Sequence, residues 1–310
     1  MLPIPRREKP TAGQPRSKSN YLFGRRLAMP RNHLDEIQSL DPVRDHQRIV
    51  HLCASYEFPF DMTRSLEFAL FRTFAVPSIA ALLDQTGEFP RRAQKRYDDT
   101  DLILSQIYEY GYDSERGRLA IKRMNGIHKR FDISNEDFLY VLSAFIYEPV
   151  RWIERFGWRA MVENERRGLY HFWREVGRRM NIHDIPGSYE TFEQFNVNYE
   201  REQFRFSDAG RRVGEATRDM LLAWFLPKPL WPLGQPFVYA LMDEPLLAAC
   251  GFPKPSNVMR SLVEGSLRAR SRVVRMLPER RQPQLRSEMK HRTYPDGYRT
   301  EELGPPPPMQ

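Results

Sequence analysis

A histidine on an apolar helical stripe is the residue of this chain best suited to hold a metal. From Asp113 to Phe131 the sequence reads DSERGRLAIKRMNGIHKRF. At 100° per residue, Gly117, Ile121, Met124, His128 and Phe131 share one face, while Lys122, Arg123, Lys129 and Arg130 point away. An imidazole screened from water suits the axial position of a haem iron. Gly117 would let a flat ligand approach closely, and Met124 lies on the same face. A core histidine bonded to a backbone carbonyl fits the same spacing. The spacing leaves both readings open.

Two further groupings place polar residues among apolar ones. In LEFALFRTFAVPSIAALL, Arg72 and Thr73 lie between Phe68, Phe71, Phe74 and Val76. Pro77 cannot donate the bond that the Thr73 carbonyl would accept, so a kink is expected there. Such a pair suits a pocket wall. Equally, Arg72 could pair with Glu67 or Glu148 while Thr73 bonds back to its own helix. In AFIYEPVRWIERFGWR, Glu148 could serve as a base of raised pKa beside Arg151, or as half of a buried ion pair with Arg151 or Arg72.

Other chemistries lack their residues. There is no GxSxG, no HExxH, and neither Cys53 nor Cys250 has a CxxC or CxxH partner. His33, His46, His51, His171, His183 and His291 are scattered. His183 beside Asp184 leaves only a weak case for a two-histidine, one-carboxylate iron site.

The elements that must position these residues are helical. Helical patterns cover about 61–83 (broken at Pro77), 91–110, the His128 helix, and a segment capped by Ser134 that ends at Pro149. Others follow at about 163–180, 189–206, 207–225, 235–247 and 257–276. The expected fold is all-α: one multi-helix domain over 31–277, between a flexible basic arm (1–30) and a disordered Pro/Arg-rich tail (278–310).

The formal net charge of +8 raises the question of nucleic acid. The arginines are interleaved with acids, however, and no nucleic-acid motif or phosphate loop is present. Nucleic acid is not an expected partner. A basic helical adaptor for a membrane or nucleic acid is permitted by charge alone. There is no signal-peptide pattern and no run near 18 apolar residues. The expected location is cytoplasmic, with the Pro-rich stretch 224–241 the best candidate for peripheral membrane contact.

The segments EFALFRTFAVPSIAALLDQTGEF, QKRYDDT, the His128 helix and YEPVRWIERFGWR together resemble the MpaB/rubber oxygenase family, closest to its fungal MpaB branch, over about 40–247. The resemblance implies an all-α fold and a b-type haem with His128 as proximal ligand. It also implies Arg72 and Thr73 on the distal side and O2-dependent cleavage of a carbon–carbon double bond in a hydrophobic, isoprenoid-like substrate. A haem- or lipid-binding protein without turnover is the alternative on the same fold. Two departures stand out. Arg72 replaces a lysine able to cap the iron, and guanidinium would not ligate it. The interval from Thr73 to His128 is also longer than in the rubber enzyme.

Overall fold

Prolines and capping side chains cut the periodic stretches into helices. The computed structural model describes residues 33–305, which contain no strand among the described residues. The chain opens with α1 (His33–Ser39) and α2 (His46–Leu52), the latter running into a π-helical turn over Cys53–Glu57. Then come α3 (Pro59–Phe74), α4 (Pro77–Thr86), α5 (Glu88–Tyr110), α6 (Glu115–His128) and α7 (Asn135–Phe156). They are followed by α8 (Glu163–Arg179), α9 (Tyr189–Gln203), α10 (Asp208–Ala223), α11 (Trp231–Tyr239), α12 (Glu244–Cys250) and α13 (Asn257–Met276). The all-α fold follows the periodicity. The basic arm expected over 1–30 lies outside the described residues, as do 306–310.

Central α7 packs along α3, while α8 covers α2, and α10 covers α4 and α5. The core is aromatic: Phe71, Phe74, Tyr140, Tyr147, Phe172 and Trp173 are all essentially inaccessible to water. Burying each such side chain contributes about 1.5–3 kcal/mol. The break at Pro77 is sharp, with α3 and α4 meeting at 99° across an extended Val76. No single described helix is long and apolar enough to cross a membrane.

Three boundaries differ from expectation. Helix α7 does not stop at Pro149 but passes through it to Phe156. The proline forfeits one backbone bond, and burial of Trp152, Ile153 and Phe156 beyond it keeps the helix going. The pattern at 235–247 is two helices, because Asp243 caps a new one by accepting from the Leu246 amide at 3.0 Å.

The third difference is the tail expected to be disordered from residue 278. Up to Pro305 it is an irregular strap laid on α5 and α6. Arg286 reaches Asp101 at 2.5 Å, Ser287 donates its hydroxyl to Glu109 at 2.5 Å, and Tyr294 donates to Asp99 at 2.5 Å. Leu303 is fully buried.

Candidate active site

Helix α6 begins where Ser114 Oγ accepts from the Gly117 amide at 2.9 Å. It ends at His128. A Cβ on Gly117 would stand 2.1 Å from the Gly111 carbonyl oxygen, so this glycine is required by the tight α5–α6 turn. Eleven residues from His128, about 16 Å along the axis, Gly117 is not among the residues that line the cavity described next.

Met124, Ile127 and His128 form one wall of a cavity of about 280 Å³. The remaining walls come from α3 (Leu70, Thr73), α4, α5, α7 (Phe138, Phe145) and Trp173 of α8. Gly304 and Pro305 of the strap close one edge. The strap is held there by carbonyls: Arg123 Nε donates to Leu303 O at 2.5 Å and Lys95 Nζ to Gly304 O at 3.2 Å.

His128 Nδ1 is fully buried and has no hydrogen-bond partner. The ring edge meets Phe138 with centroids 5.4 Å apart. Burial, helped by the nearby Arg96 charge, pushes the imidazole down to about 4. The ring is therefore neutral near pH 7, with a nitrogen lone pair free of any proton. An unpaired buried polar atom costs about 1–3 kcal/mol. The alternative of a core histidine tied to a carbonyl does not describe this nitrogen.

Thr73 also lines the cavity, and its hydroxyl donates to Leu70 O at 2.7 Å, back along its own helix. The hydroxyl can therefore accept a hydrogen bond from a ligand as it stands, but can donate only by giving up that bond. Arg96 is the cavity's guanidinium. It donates to Thr100 Oγ1 and lies 5.5 Å from the Phe89 ring centre.

Arg72, Glu148 and Arg151 are brought together, but outside this cavity lining. Arg72 Nε donates to Glu200 at 2.7 Å, one terminal nitrogen to the same carboxylate, and the other to Asp243 at 2.7 Å. Glu148 lies 3.4 Å from Arg72 and accepts from Arg151 at 2.8 Å. Arg151 also donates to Asn196, which reaches Ser143 at 2.9 Å. Burial works against charge on Arg72, but Glu148 and Glu200 outweigh it and hold the guanidinium well above its ordinary value. This network ties α3, α7 and α9 to the start of α12. Of the two sequence readings of Arg72, the ion pair is the one seen.

Sequence reasoning missed Glu200, Asp243 and Arg96. Asp243 had a signal, because an Asp before Glu-Pro marks a helix start. Arg96 lies within QKRYDDT, one of the segments that carry the resemblance, but nothing there singled it out, and Glu200 had no signal among the other charged residues of its helix. No group of three or more His, Cys, Asp or Glu side chains converges on a possible metal position among the described residues. His183 and Asp184 therefore have no third partner there.

An all-α domain whose apolar cavity is walled on one side by a neutral imidazole with a buried, unpartnered Nδ1 defines the class: a helical protein with an apolar site built around one histidine. The chain belongs to the family described as ER-bound oxygenase mpaB/B′/rubber oxygenase, catalytic domain, which matches residues 66–276. It is 31% identical over 242 residues to "ER-bound oxygenase mpaB′" of Penicillium brevicompactum, covering 72% of this chain and 57% of that protein. It is 32% identical over 213 residues to "ER-bound oxygenase mpaB" of Penicillium roqueforti, covering 63% of this chain and 72% of the relative. The matched stretch thus spans little more than half of the first relative's length. The strap at 286–305 lies beyond the family match.

Proposed function

We propose that this protein is an oxygenase that holds a b-type haem through His128 and oxidises or cleaves a carbon–carbon double bond of a hydrophobic, isoprenoid-like substrate with O2. The observation that carries this reading is a neutral imidazole on the wall of an apolar cavity, its Nδ1 buried and without a partner. The residues present fit the group: one nitrogen donor, apolar surroundings and, among the described residues, no competing ligand cluster. Haem would supply the oxygen chemistry, and the protein the binding, orientation and surroundings.

The chain's own residues would do the rest. His128 offers its nitrogen without first losing a proton, since it is neutral near pH 7. Phe138, Phe145 and Trp173 exclude water from the cavity. Thr73 presents a hydroxyl to the cavity as an acceptor. Arg72 acts at a distance, because its three nitrogens are committed to Glu200 and Asp243, which fix α3 against α9 and α12. Glu148, held between Arg72 and Arg151, belongs to that frame and is not proposed as a base for an allylic proton. A cytoplasmic, peripheral location suits an apolar substrate, and the relatives' names place them at the ER.

The test is a pyridine haemochrome assay on protein expressed with ample haem, beside His128→Ala. A stoichiometric b-type signature lost in the variant supports the reading. A folded wild-type protein that takes up no haem overturns it. Oxygen consumption with an isoprenoid alkene then separates an oxygenase from a protein that only binds haem or lipid.

A further inference from the structure

Helix α13 turns an apolar stripe outward. At 100° per residue, Val258, Leu262, Gly265, Ala269, Val273 and Met276 fall within about 80° of one another. Every one of them is exposed, from 58% for Val273 to 84% for Met276 among the large ones. The opposite face does the packing. Val263 is buried, Ser271 donates to Phe156 O, and Arg270 lies 3.8 Å from the Phe60 ring centre and pairs with Asp61. A helix of 20 residues, about 30 Å long, thus has its inner side satisfied and an apolar line left in water.

Arginines run along one edge of that line. Arg268, Arg272 and Arg275 are all exposed, and Arg280 and Arg281 follow just beyond the helix. Glu264 is the sole acid of α13 and is already shared by Arg155 and Arg268. Arg272 and Arg275 have no partner among the described residues. Neighbouring α11 packs on α13 and carries two more exposed apolar side chains, Leu233 and Phe237.

We propose that this face of α13 docks on an anionic lipid surface, with the apolar stripe entering the headgroup boundary and the arginine edge meeting lipid phosphates and carboxylates. Apolar side chains beside unpaired cations are the composition of an interfacial helix. A second copy laid antiparallel would match the side-chain sizes well, with Val258 opposite Met276, Leu262 opposite Val273 and Gly265 opposite Ala269. It would also set two like arginine edges against each other with no free acid between them. Charge therefore selects the membrane. The proposal is independent of haem and of the oxygenase reading.

The experiment is co-sedimentation of the full chain with phosphatidylcholine vesicles, with and without phosphatidylserine. Wild type is expected to bind only the anionic vesicles, and less so in high salt. Leu262→Asp should abolish binding. Arg272→Glu with Arg275→Glu should weaken it about 25-fold or more, from about 1 kcal/mol, or fivefold, per basic residue. These side chains are exposed, so helicity and melting temperature should hold. Equal binding to both vesicle types, binding to neither, or binding unchanged in both variants would overturn the proposal. So would size-exclusion data in which Leu262→Asp converts a dimer to a monomer, which would give this face to a second copy.

Discussion

Arg72 and Thr73 are adjacent in the chain but serve different parts of the molecule. Thr73 faces the cavity that His128 lines, whereas Arg72 grips Glu200 and Asp243 outside it. One step of the helix separates a cavity-lining side chain from the charge that locks α3 in place.

Arg72→Gln leaves a buried set of carboxylates short of their main counter-charge. Breaking such a set costs about 3–5 kcal/mol, which corresponds to a melting temperature lower by roughly 10 °C. Arg151→Gln should cost no more than about 1 kcal/mol, since that side chain is about a third exposed. Thermal unfolding followed by circular dichroism ranks the two. Equal losses would show that Arg72 is not the keystone of the network.

Replacing His128 with Leu in the haem-free protein should raise stability by about 1–3 kcal/mol, because an orphaned buried nitrogen is removed. The gap should widen in acid. The folded imidazole takes its proton near pH 4 and the unfolded one near 6.5, so acid favours the unfolded chain between those values. Wild type therefore loses up to about 3 kcal/mol as pH falls from 6.5 to 4, a loss that the leucine variant escapes. Urea melts at pH 7 and pH 5 measure both effects. A gap that does not change with pH would mean that the ring is not shielded.

Thr73→Val keeps the shape and removes the hydroxyl. Stability should change by about 1 kcal/mol at most, since the lost bond is local to α3. If haem binds as proposed, its content should hold while ligand-binding spectra or turnover shift. Wild-type values in all of these would reduce Thr73 to packing.

Leu303→Asp places a charge at a fully buried point of the strap. The helices should persist while the strap detaches from the cavity edge formed by Gly304 and Pro305. An apolar fluorescent dye should then enter several-fold faster, and protease should cut between 283 and 305. Unaltered uptake would show that the strap does not limit access.

The helices and His128 were legible in the sequence because both depend on periodicity, which survives without any partner in view. Met124 and His128 do line one cavity. Gly117 shares their stripe, yet its requirement is set by the Gly111 carbonyl, a contact across a turn that no wheel displays. The passage of α7 through Pro149 was hidden for a similar reason. A local rule says stop, and tertiary burial of Trp152 and Phe156 overrides it. The strap was illegible because charge-assisted bonds to carbonyls and tyrosine hydroxyls hold it, and these leave no repeating pattern. The outward stripe of α13 was present in the letters, but periodicity reports that a face exists and not whether anything covers it.

The strap also imposes an order in time. Arg123 and the Leu303 carbonyl it binds are 180 residues apart, so the wall they complete cannot exist while the chain is being made. At about 5–20 residues per second, the stretch from Met276 to Pro305 takes a few seconds to synthesise. Throughout that interval the helices that line the cavity have already left the ribosome's active centre, and one side of the cavity stands open. Any guest of the cavity has its easier passage during those seconds, before the strap arrives to close that side.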